Sequence, residues 1–288
     1  MSFRVTIPCS RAQAEALPDL NLDAVDPPVL VADEPDPGKP DDWLIHAYFD
    51  RHPTLDDIAL LTSLGSGAPV LEQIGDANWV ALSQAGLQPI RAGRFFVHTP
   101  THAPDSDAVN FEIDAGLAFG TGQHATTAGC LEALDLLVTK GCVSTNVADV
   151  GTGTGLLAFA ALALWPEAKC IATDIDPVAI DVSRDNAAIN GVRLGHGPGE
   201  LLLAIADGMD SPMLAARAPF DLIIANILAG PLIELAPDFA RALVPGGTII
   251  LAGLLDTQAD GVLAAYDKLG LTLTDRGSVE WPVLVLAA

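Results

Sequence analysis

Hydrophobic residues in the second half of the chain form short apolar runs that alternate with longer amphipathic segments. Strands are predicted at NVADV, CIATDID, LLLAIA, FDLIIANI and TIILAGLL, and helices at GLLAFAALALW, PVAIDVSRDNAAIN, PLIELAPDFARAL and QADGVLAAYDKLG. Strands this continuously apolar are buried on both faces, which is typical of a parallel sheet with helices on each side. The last two runs, LTLTDRGSV and PVLVLAA, are separated by a short polar break, which predicts an antiparallel hairpin that closes the sheet.

The first 74 or so residues follow a different pattern, in which the predicted order of elements is β-α-β-β-α-β. Strands are predicted at FRVTIP, VLVAD, WLIHAYF and VLEQI, and helices from Ser10 onward and at TLDDIALLTSL. This order favours a ferredoxin-like domain, with a middle hairpin loosened by the Pro-rich segment ADEPDPGKPDD. The segment GDANWVALSQAGLQP predicts a short amphipathic linker helix that ends at Gly86 and Pro89.

These patterns divide the chain into three parts and set the fold class. Residues 1–74 are predicted to form a small α+β ferredoxin-like N-terminal domain, and residues 75–90 a linker helix. Residues 91–288 are predicted to form an α/β, Rossmann-like seven-stranded domain.

Composition places the chain among globular proteins, since half of its residues are hydrophobic and 18% are charged. Its longest apolar run, LLAFAALALW, is shorter than the roughly 18 residues of a membrane span, so we expect no contact with a membrane. The start of the chain has no apolar segment behind a basic region, and a secretory signal is not expected. The four cysteines form no CxxC pair, which favours buried, reduced thiols in a cytoplasmic protein.

The charge balance excludes some partners. The chain has 14 basic and 37 acidic residues, a net charge of −23, and both halves are acidic. Such a surface repels phosphate backbones and argues against direct binding of nucleic acid, whereas a basic protein substrate would be attracted. An acidity that serves only solubility is the alternative. Nothing in the sequence demands more than a monomer.

Two Gly-Thr-Gly stretches are candidates for a ligand-binding loop, FGTGQHATT at residues 119–127 and DVGTGTGLL at residues 149–157. The second follows a strand and opens a helix, where free backbone N–H groups meet a ligand. Leu156 stands where a dinucleotide fingerprint has its third glycine, which argues against a pyrophosphate and for a ligand with an amino-acid tail. Asp174 ends the next strand, where a carboxylate accepts hydrogen bonds from ribose hydroxyls. A structural turn with a helix-capping acid is the alternative interpretation.

The motifs VADVGTGTG, DID and FDLIIANI resemble class I S-adenosylmethionine-dependent methyltransferases. More specifically, LAFGTGQHATT, DIDPVAIDVSRDNAAINGV, ANILAGPLIELAP and LAGLL, spread over residues 117–255, resemble the PrmA family, which methylates the eleventh protein of the large ribosomal subunit. The resemblance implies a class I methyltransferase domain, S-adenosyl-L-methionine as cofactor, and residues 1–74 as a substrate-recognition domain. It further implies that several amines of this one ribosomal protein, lysine side chains and the N-terminal α-amine, accept methyl groups.

The resemblance also implies which residues contact the cofactor. The family's contacts fall on Thr127, Gly151, Asp174 and Asn226, and the two glycine loops supply Phe119 and Gly153. By analogy with many class I methyltransferases, Asp207 is placed to contact the adenine amino group. The FGTGQHATT and DVGTGTGLL loops then form opposite walls of one pocket.

Two residues are candidates for the transfer step itself. Asn226 follows a buried strand at the carboxyl end of the sheet, where its side-chain carbonyl is placed to accept a hydrogen bond from the substrate amine. Ile227 and Leu228 follow it, which favours an aliphatic over a planar acceptor. His124 is a candidate to take the amine's proton or to orient the substrate, and a structural role at the helix start is the alternative. Asp149 is a candidate to bind the methionine amine, and fixing the loop is its alternative.

Other activities remain open at this point. A methyltransferase acting on another protein or on a small-molecule amine would share these motifs. A nicotinamide-dependent oxidoreductase, or a cofactor sensor without turnover, is a third possibility, and Leu156 argues against the oxidoreductase. No metal-ligand spacing is present in the sequence, so no metal site is predicted.

Overall fold

The protein is described by a computed structural model over residues 2–15, 28–33, 43–49, 51–74, 89–113, 124–277 and 281–288. The chain divides into two compact units, Met1–Gly86 and Leu87–Ala288. Most of the predicted linker helix and of the Pro-rich segment ADEPDPGKPDD falls at residues 75–88 and 34–42, which lie outside the described residues. Among the described residues, no helix combines the length and the apolar character that crossing a bilayer requires.

The first unit has a four-stranded antiparallel sheet in the order β2-β3-β1-β4. This is the strand order of a ferredoxin-like domain, which confirms the prediction from the element order. The elements are β1 Ser2–Cys9, α1 Arg11–Glu15, β2 Val29–Asp33, β3 Trp43–Phe49, α2 Leu55–Leu64 and β4 Val70–Ile74.

Alternation along the central strands creates the core of this unit. Val5 and Ile7 of β1 and Ala47 of β3 point to one face, where they pack under Leu61 of α2. A capping box fixes the start of α2, since the Thr54 side chain accepts a hydrogen bond from the Asp57 N–H while the Asp57 carboxylate accepts one from the Thr54 N–H.

The second unit has a seven-stranded sheet in the order β10-β9-β8-β11-β12-β14-β13. The first five strands in this order are parallel, and β14 is antiparallel to both β12 and β13, which confirms the predicted α/β sheet and its closing hairpin. The strands are β8 Asn146–Val150, β9 Lys169–Asp174, β10 Leu201–Ile205, β11 Phe220–Asn226, β12 Leu243–Ala252, β13 Thr272–Arg276 and β14 Leu284–Ala287. The helices are α3 His124–Thr139, α4 Leu156–Leu164, α5 Pro177–Ile189, α6 Pro212–Arg217, α7 Ala229–Glu234, α8 Ala236–Arg241 and α9 Asp256–Asp267.

Helices cover both faces of this sheet, with a separate hydrophobic cluster on each. On one face α4 is buried along Leu156–Leu162, because it lies between the sheet and α3 and is apolar all round. On the other face Phe239 and Tyr266 are fully buried, and the Tyr266 hydroxyl donates to the carbonyl of Leu232 over 2.9 Å. The double covering explains why the strands are continuously apolar.

The structure differs from the sequence-based expectation in three places, one of which is the short helix α6, which was not predicted. The single helix predicted at PLIELAPDFARAL is divided at Leu235 into α7 and α8, since Pro237 has no N–H to donate to the carbonyl of Ile233. A three-stranded sheet that was not predicted is formed by β5 Ile90–Ala92, β6 Phe95–His98 and β7 Val109–Glu112.

The cysteines are all free, and three of them are buried. Cys142 is exposed, which corrects the expectation for that residue. It lies in the turn after α3, where its backbone carbonyl accepts a hydrogen bond from the indole N–H of Trp165 over 3.1 Å. The backbone of Cys142 is therefore held while its thiol faces solvent.

Candidate active site

The loop between β8 and α4 is a tight backbone bend at the carboxyl edge of the sheet. Gly151 and Gly153 both have positive φ, 76° and 55°. The N–H groups of Gly151 and Thr152 donate to the carbonyl of Thr173 over 2.8 and 2.9 Å, so the bend is tied to β9. A Cβ on Gly151 would lie 2.2 Å from Cγ2 of Ile227, so glycine is required for the close approach to the end of β11.

Two buried polar side chains of α5 hold this loop from behind. The Ser183 hydroxyl donates to the carbonyl of Gly153 over 2.8 Å, and the Asn186 amide donates to the carbonyl of Thr154 over 3.1 Å. Ser183 and Asn186 are 0% and 1% exposed. Buried donors of this kind are costly to leave unpaired, so the loop and α5 are positioned as one piece. Neither residue was predicted to support the loop, although DVSRDNAAIN places polar side chains on an otherwise apolar helix face.

Asp149 lies under the loop, and only one of its two carboxylate oxygens is paired. Its Oδ2 accepts from the Thr152 hydroxyl over 2.7 Å and from the N–H of Ala158 over 3.2 Å. Its Oδ1 is buried and has no hydrogen-bond partner among the described residues. Burial raises the pKa of Asp149 to about 6, against the lowering effect of its two hydrogen bonds, and the charge of Asp174 adds to the rise. An unpaired buried carboxylate oxygen fits the ammonium of an amino-acid tail.

Asp174 ends β9 with its carboxylate at the glycine loop. Its Oδ2 accepts from the N–H of Gly153 over 2.9 Å and its Oδ1 from the N–H of Asp176 over 3.0 Å. A carboxylate accepts about four hydrogen bonds, so capacity is left for two hydroxyl donors such as those of a ribose. Gly153 itself has no atom within 4 Å of the position that a Cβ would occupy, so space remains beside the loop.

Exposed apolar side chains extend this edge beyond Asp174. Ile175 is 64% exposed, and Ile205, which pairs with Asp174 in the sheet register, is 59% exposed. Asp207 follows β10 and is exposed, and its backbone carbonyl accepts a hydrogen bond from the N–H of Asp210 over 3.0 Å. Two exposed isoleucines and a carboxylate beside Asp174 could contact a flat ring with an exocyclic amine. Asp207 is a candidate contact from the sequence, whereas the two isoleucines are not, because their exposure cannot be seen in an apolar strand pattern.

Asn226 is the last residue of β11 and is half-buried. It pairs in register with Ala252 of β12, and the N–H of Ile227 donates to the carbonyl of Ala252 over 3.1 Å. Leu228, which begins the turn into α7, is 74% exposed. Because the Ile227 side chain contacts Gly151, the end of β11 and the glycine loop are adjacent, as the sequence pattern predicts.

The first turn of α3 reaches the same edge of the sheet. A Cβ on Gly129 would lie 2.6 Å from Cγ2 of Val283, which directly precedes the Leu284–Leu251 pair near the end of β12. Thr127 lies two residues earlier in α3 and is buried. His124 is the first residue of α3, and the structure describes its backbone only. Phe119 and most of the FGTGQHATT stretch lie outside the described residues.

The structure thus brings together the strand and helix ends that carry Thr127, Gly151, Gly153, Asp174 and Asn226. Within the described part of the chain, no group of three or more His, Cys, Asp or Glu side chains is arranged to hold a metal ion. The loop, Asp149 and Asp174 together offer a buried carboxylate oxygen and further hydrogen-bond acceptors at the carboxyl edge of the sheet.

Comparison with known proteins adds independent information on this chain. Residues 26–287 match the model of the family described as ribosomal protein L11 methyltransferase (PrmA). A protein of Brucella suis named ribosomal protein L11 methyltransferase is 50% identical over 212 residues, which cover 73% of this chain and 72% of that protein. A protein of Rhodopseudomonas palustris with the same name is 41% identical over 254 residues, which cover 85% and 83%.

Among solved structures, the chain is similar to a crystal structure of ribosomal protein L11 methylase from Lactobacillus delbrueckii subsp. bulgaricus. The TM-score is 0.59 at 28% sequence identity, and the match covers 69% of this chain and 98% of the other.

Proposed function

The chain belongs to the ribosomal protein L11 methyltransferase (PrmA) family, and from that premise we propose that it transfers methyl groups from S-adenosyl-L-methionine to amino groups of ribosomal protein L11. The observation that carries the proposal is the family match over residues 26–287, which spans the whole second unit up to its penultimate residue. The proposed site lies at the carboxyl edge of the sheet, where open α/β proteins bind their ligands.

The described residues fit this cofactor. When bound, S-adenosyl-L-methionine supplies a methyl group on a positively charged sulfur. Asp149 Oδ1 would receive the cofactor's ammonium, because it is a buried carboxylate oxygen that has no hydrogen-bond partner among the described residues. Asp174 would accept from the ribose hydroxyls, and Ile175 and Ile205 would contact the adenine ring while Asp207 accepts from its amino group.

We propose lysine side chains and the N-terminal α-amine of L11 as the acceptors. An amine attacks only when neutral, and lysine has an ordinary pKa of about 10.4, so the site has to exclude water and align the amine. The Asn226 side-chain carbonyl would accept a hydrogen bond from that amine. The apolar side chains of Ile227 and Leu228 suit an aliphatic acceptor, and no aromatic side chain follows Asn226 to stack on a planar one.

His124 is proposed to orient the acceptor or take its proton, from its place at the start of α3. A His124→Ala variant should then bind S-adenosyl-L-methionine with unchanged affinity in calorimetry and lose methyl transfer. Normal transfer by this variant would assign His124 a structural role. Phe119 is proposed as a further cofactor contact on the basis of the family resemblance.

The remaining parts of the proposal concern the molecule as a whole. Residues 1–74 would recognise the substrate protein, residues 75–90 would link them to the methyltransferase domain at residues 91–288, and the enzyme would act in the cytoplasm as a monomer without direct contact with nucleic acid. The net charge of −23 supports a basic protein partner over a nucleic acid.

The direct test is to express this chain in a bacterial strain that lacks L11 methylation and to measure the mass of its L11. The expected result is a mass increase in steps of one methyl group, located on lysines and the N-terminus by peptide fragmentation. Unchanged L11, together with methylation of another protein or of a small amine, would replace L11 by that acceptor. Binding of NAD instead of S-adenosyl-L-methionine in calorimetry would contradict the proposed chemistry altogether.

A further inference from the structure

A cavity of about 420 Å³ lies beside the cofactor site, between α3 and the β13–β14 hairpin. We call it the α3 groove. Its floor is apolar, formed by Ala133 and Leu136 of α3 together with Val283 and Val285 of the hairpin. Its volume is within the range of about 300–1,000 Å³ that is typical of ligand pockets. None of the residues proposed to bind the cofactor or the acceptor amine lines it.

The groove follows one stripe of α3. Gly129, Glu132, Leu136 and Thr139 line it, and their spacing of three and four residues places them on the same face of the helix. The opposite face is packed into the protein core through Leu131 and Leu134. A Cβ on Gly129 would collide with Val283, so glycine allows the helix and the hairpin to meet at the upper end of the groove.

Three carboxylates surround the apolar floor, and two of them are uncompensated. Asp135 pairs with the Arg94 guanidinium at the lower end of the groove. The side chains of Glu132 and Asp275 make no hydrogen bond or ion pair with any described residue. Arg276, the next residue, does not neutralise Asp275. Successive residues of a strand face opposite sides of the sheet, and Arg276 pairs with Asp256 over 2.7 Å on the other side.

We propose that the α3 groove binds a lysine or arginine side chain of the protein substrate, next to the segment that is being methylated. This inference rests on the proposed function. A long basic side chain places its aliphatic stem along apolar surface and its charged end near carboxylates, and this is the combination that the floor and rim of the groove offer. A protein that binds ribosomal RNA carries such side chains in number.

The position of the groove relative to the site supports this occupant. Its upper end at Gly129 is two residues from Thr127, and it extends ten residues along α3 to Thr139, or about 15 Å at 1.5 Å per residue. An extended peptide covers that length in about five residues. A substrate segment that leaves the transfer site along α3 therefore carries its basic residue within about five positions of the methylated amine.

The test compares two double variants that change the net charge equally. Glu132→Gln with Asp275→Asn removes the uncompensated charge of the groove. Glu167→Gln with Asp185→Asn is the matched control, since both carboxylates are exposed and neither lines the groove nor belongs to the proposed site. Thermal melting and calorimetry with S-adenosyl-L-methionine first establish that both variants fold and bind the cofactor as the wild type does.

The measurements are the KM and kcat for L11 and the affinity of each protein for L11 by fluorescence anisotropy. The groove variant should bind L11 about tenfold more weakly and raise its KM by a similar factor with kcat unchanged, as expected for two ion pairs of modest strength. The difference should disappear at high ionic strength. Equal L11 affinity and KM in the groove and control variants would overturn the proposed groove. If the wild type binds L11 more tightly than the groove variant does but transfers no methyl group, the groove is supported and only the proposed function is contradicted.

Discussion

At the scale of single residues, Asp149 is the buried carboxylate of the proposed cofactor site. It is 1% exposed, and one of its carboxylate oxygens has no partner among the described residues. Keeping such a carboxylate ionised costs free energy, and this cost is what raises its pKa to about 6. A cationic group placed at Oδ1 would offset that cost.

We predict that the affinity for S-adenosyl-L-methionine falls as the pH is lowered through about 6. Protonation of Asp149 removes the charge that would pair with the cofactor's ammonium, and binding of that ammonium favours the ionised form. In Asp149→Asn the affinity should be lower by about 10- to 100-fold at pH 7.5, as for loss of a hydrogen bond between charged groups, and should be nearly constant from pH 5 to 8. Calorimetric titration across this range measures both effects, and equal pH dependence in the two proteins would contradict the assignment.

A stability measurement checks the raised pKa without the cofactor. Because the folded-state pKa of about 6 is above the unfolded value of about 3.9, the contribution of Asp149 to the free energy of unfolding is fully present below pH 4 and is lost as the pH rises through 6. The wild type should therefore lose about 2 kcal/mol relative to Asp149→Asn between pH 4 and pH 7. Urea unfolding of both proteins without cofactor, at several pH values, gives the two free energies of unfolding. Their difference cancels the contribution of other carboxylates, such as Asp57, whose pKa is lowered by Arg51 and whose effect on stability has the opposite sign.

At the scale of elements, the sequence predicted the strands of the four-stranded and seven-stranded sheets in their chain order, most of the helices between them, and the residues at the strand ends. This was possible because alternating apolar and polar residues mark a strand buried on one face, and an unbroken apolar run marks a strand buried on both. Asp174 and Asn226 stand at the ends of such runs. The sheet β5-β6-β7 was missed because its strands have only three or four residues. The bracing of the glycine loop by Ser183 and Asn186 was missed because it joins positions 30 and 32 residues apart.

The backbone approaches closely where the chain leaves β11 and β12, and this contact can be tested by substitution. Gly253 has a φ of 85°, and a Cβ there would lie 2.4 Å from the backbone oxygen of Ile227, which cannot move without shifting Asn226. Gly253→Ala should destabilise the protein by more than the roughly 1–2 kcal/mol that a left-handed backbone costs alanine, and should lower kcat. Urea unfolding and steady-state kinetics test this.

A glycine in the neighbouring helix serves as the control. Gly261 lies inside α9, and a Cβ at this position meets no atom within 4 Å. Gly261→Ala should stabilise the protein by about 0.5–1 kcal/mol, since alanine is favoured over glycine in a helix, and should leave kcat unchanged. Similar stability in the Gly253 and Gly261 variants would show that the contact between the two strand ends is looser than the distances indicate.

At the scale of the whole molecule, each unit has its own hydrophobic core. The clusters around Phe159 and Tyr266 are built entirely from residues of Leu87–Ala288, and those around Leu61 and Ile45 from residues of Met1–Gly86. Every described residue proposed to contact the cofactor also lies in the second unit. The proposed function therefore places the cofactor site and the α3 groove in the second unit and the main recognition of the substrate protein in the first.

This division predicts the properties of a fragment that begins at residue 87. With about 200 residues and two hydrophobic clusters of its own, the fragment should fold cooperatively and bind S-adenosyl-L-methionine within about threefold of the full-length affinity. Its kcat/KM for intact L11 should fall by at least about 100-fold, because the proposed recognition domain contributes binding energy of roughly 3 kcal/mol or more. Circular dichroism melting, calorimetry and a methyl-transfer assay on L11 measure the three quantities. Full activity of the fragment on L11 would move substrate recognition into the second unit, and loss of cofactor binding by a folded fragment would show that the first unit contributes to the cofactor site.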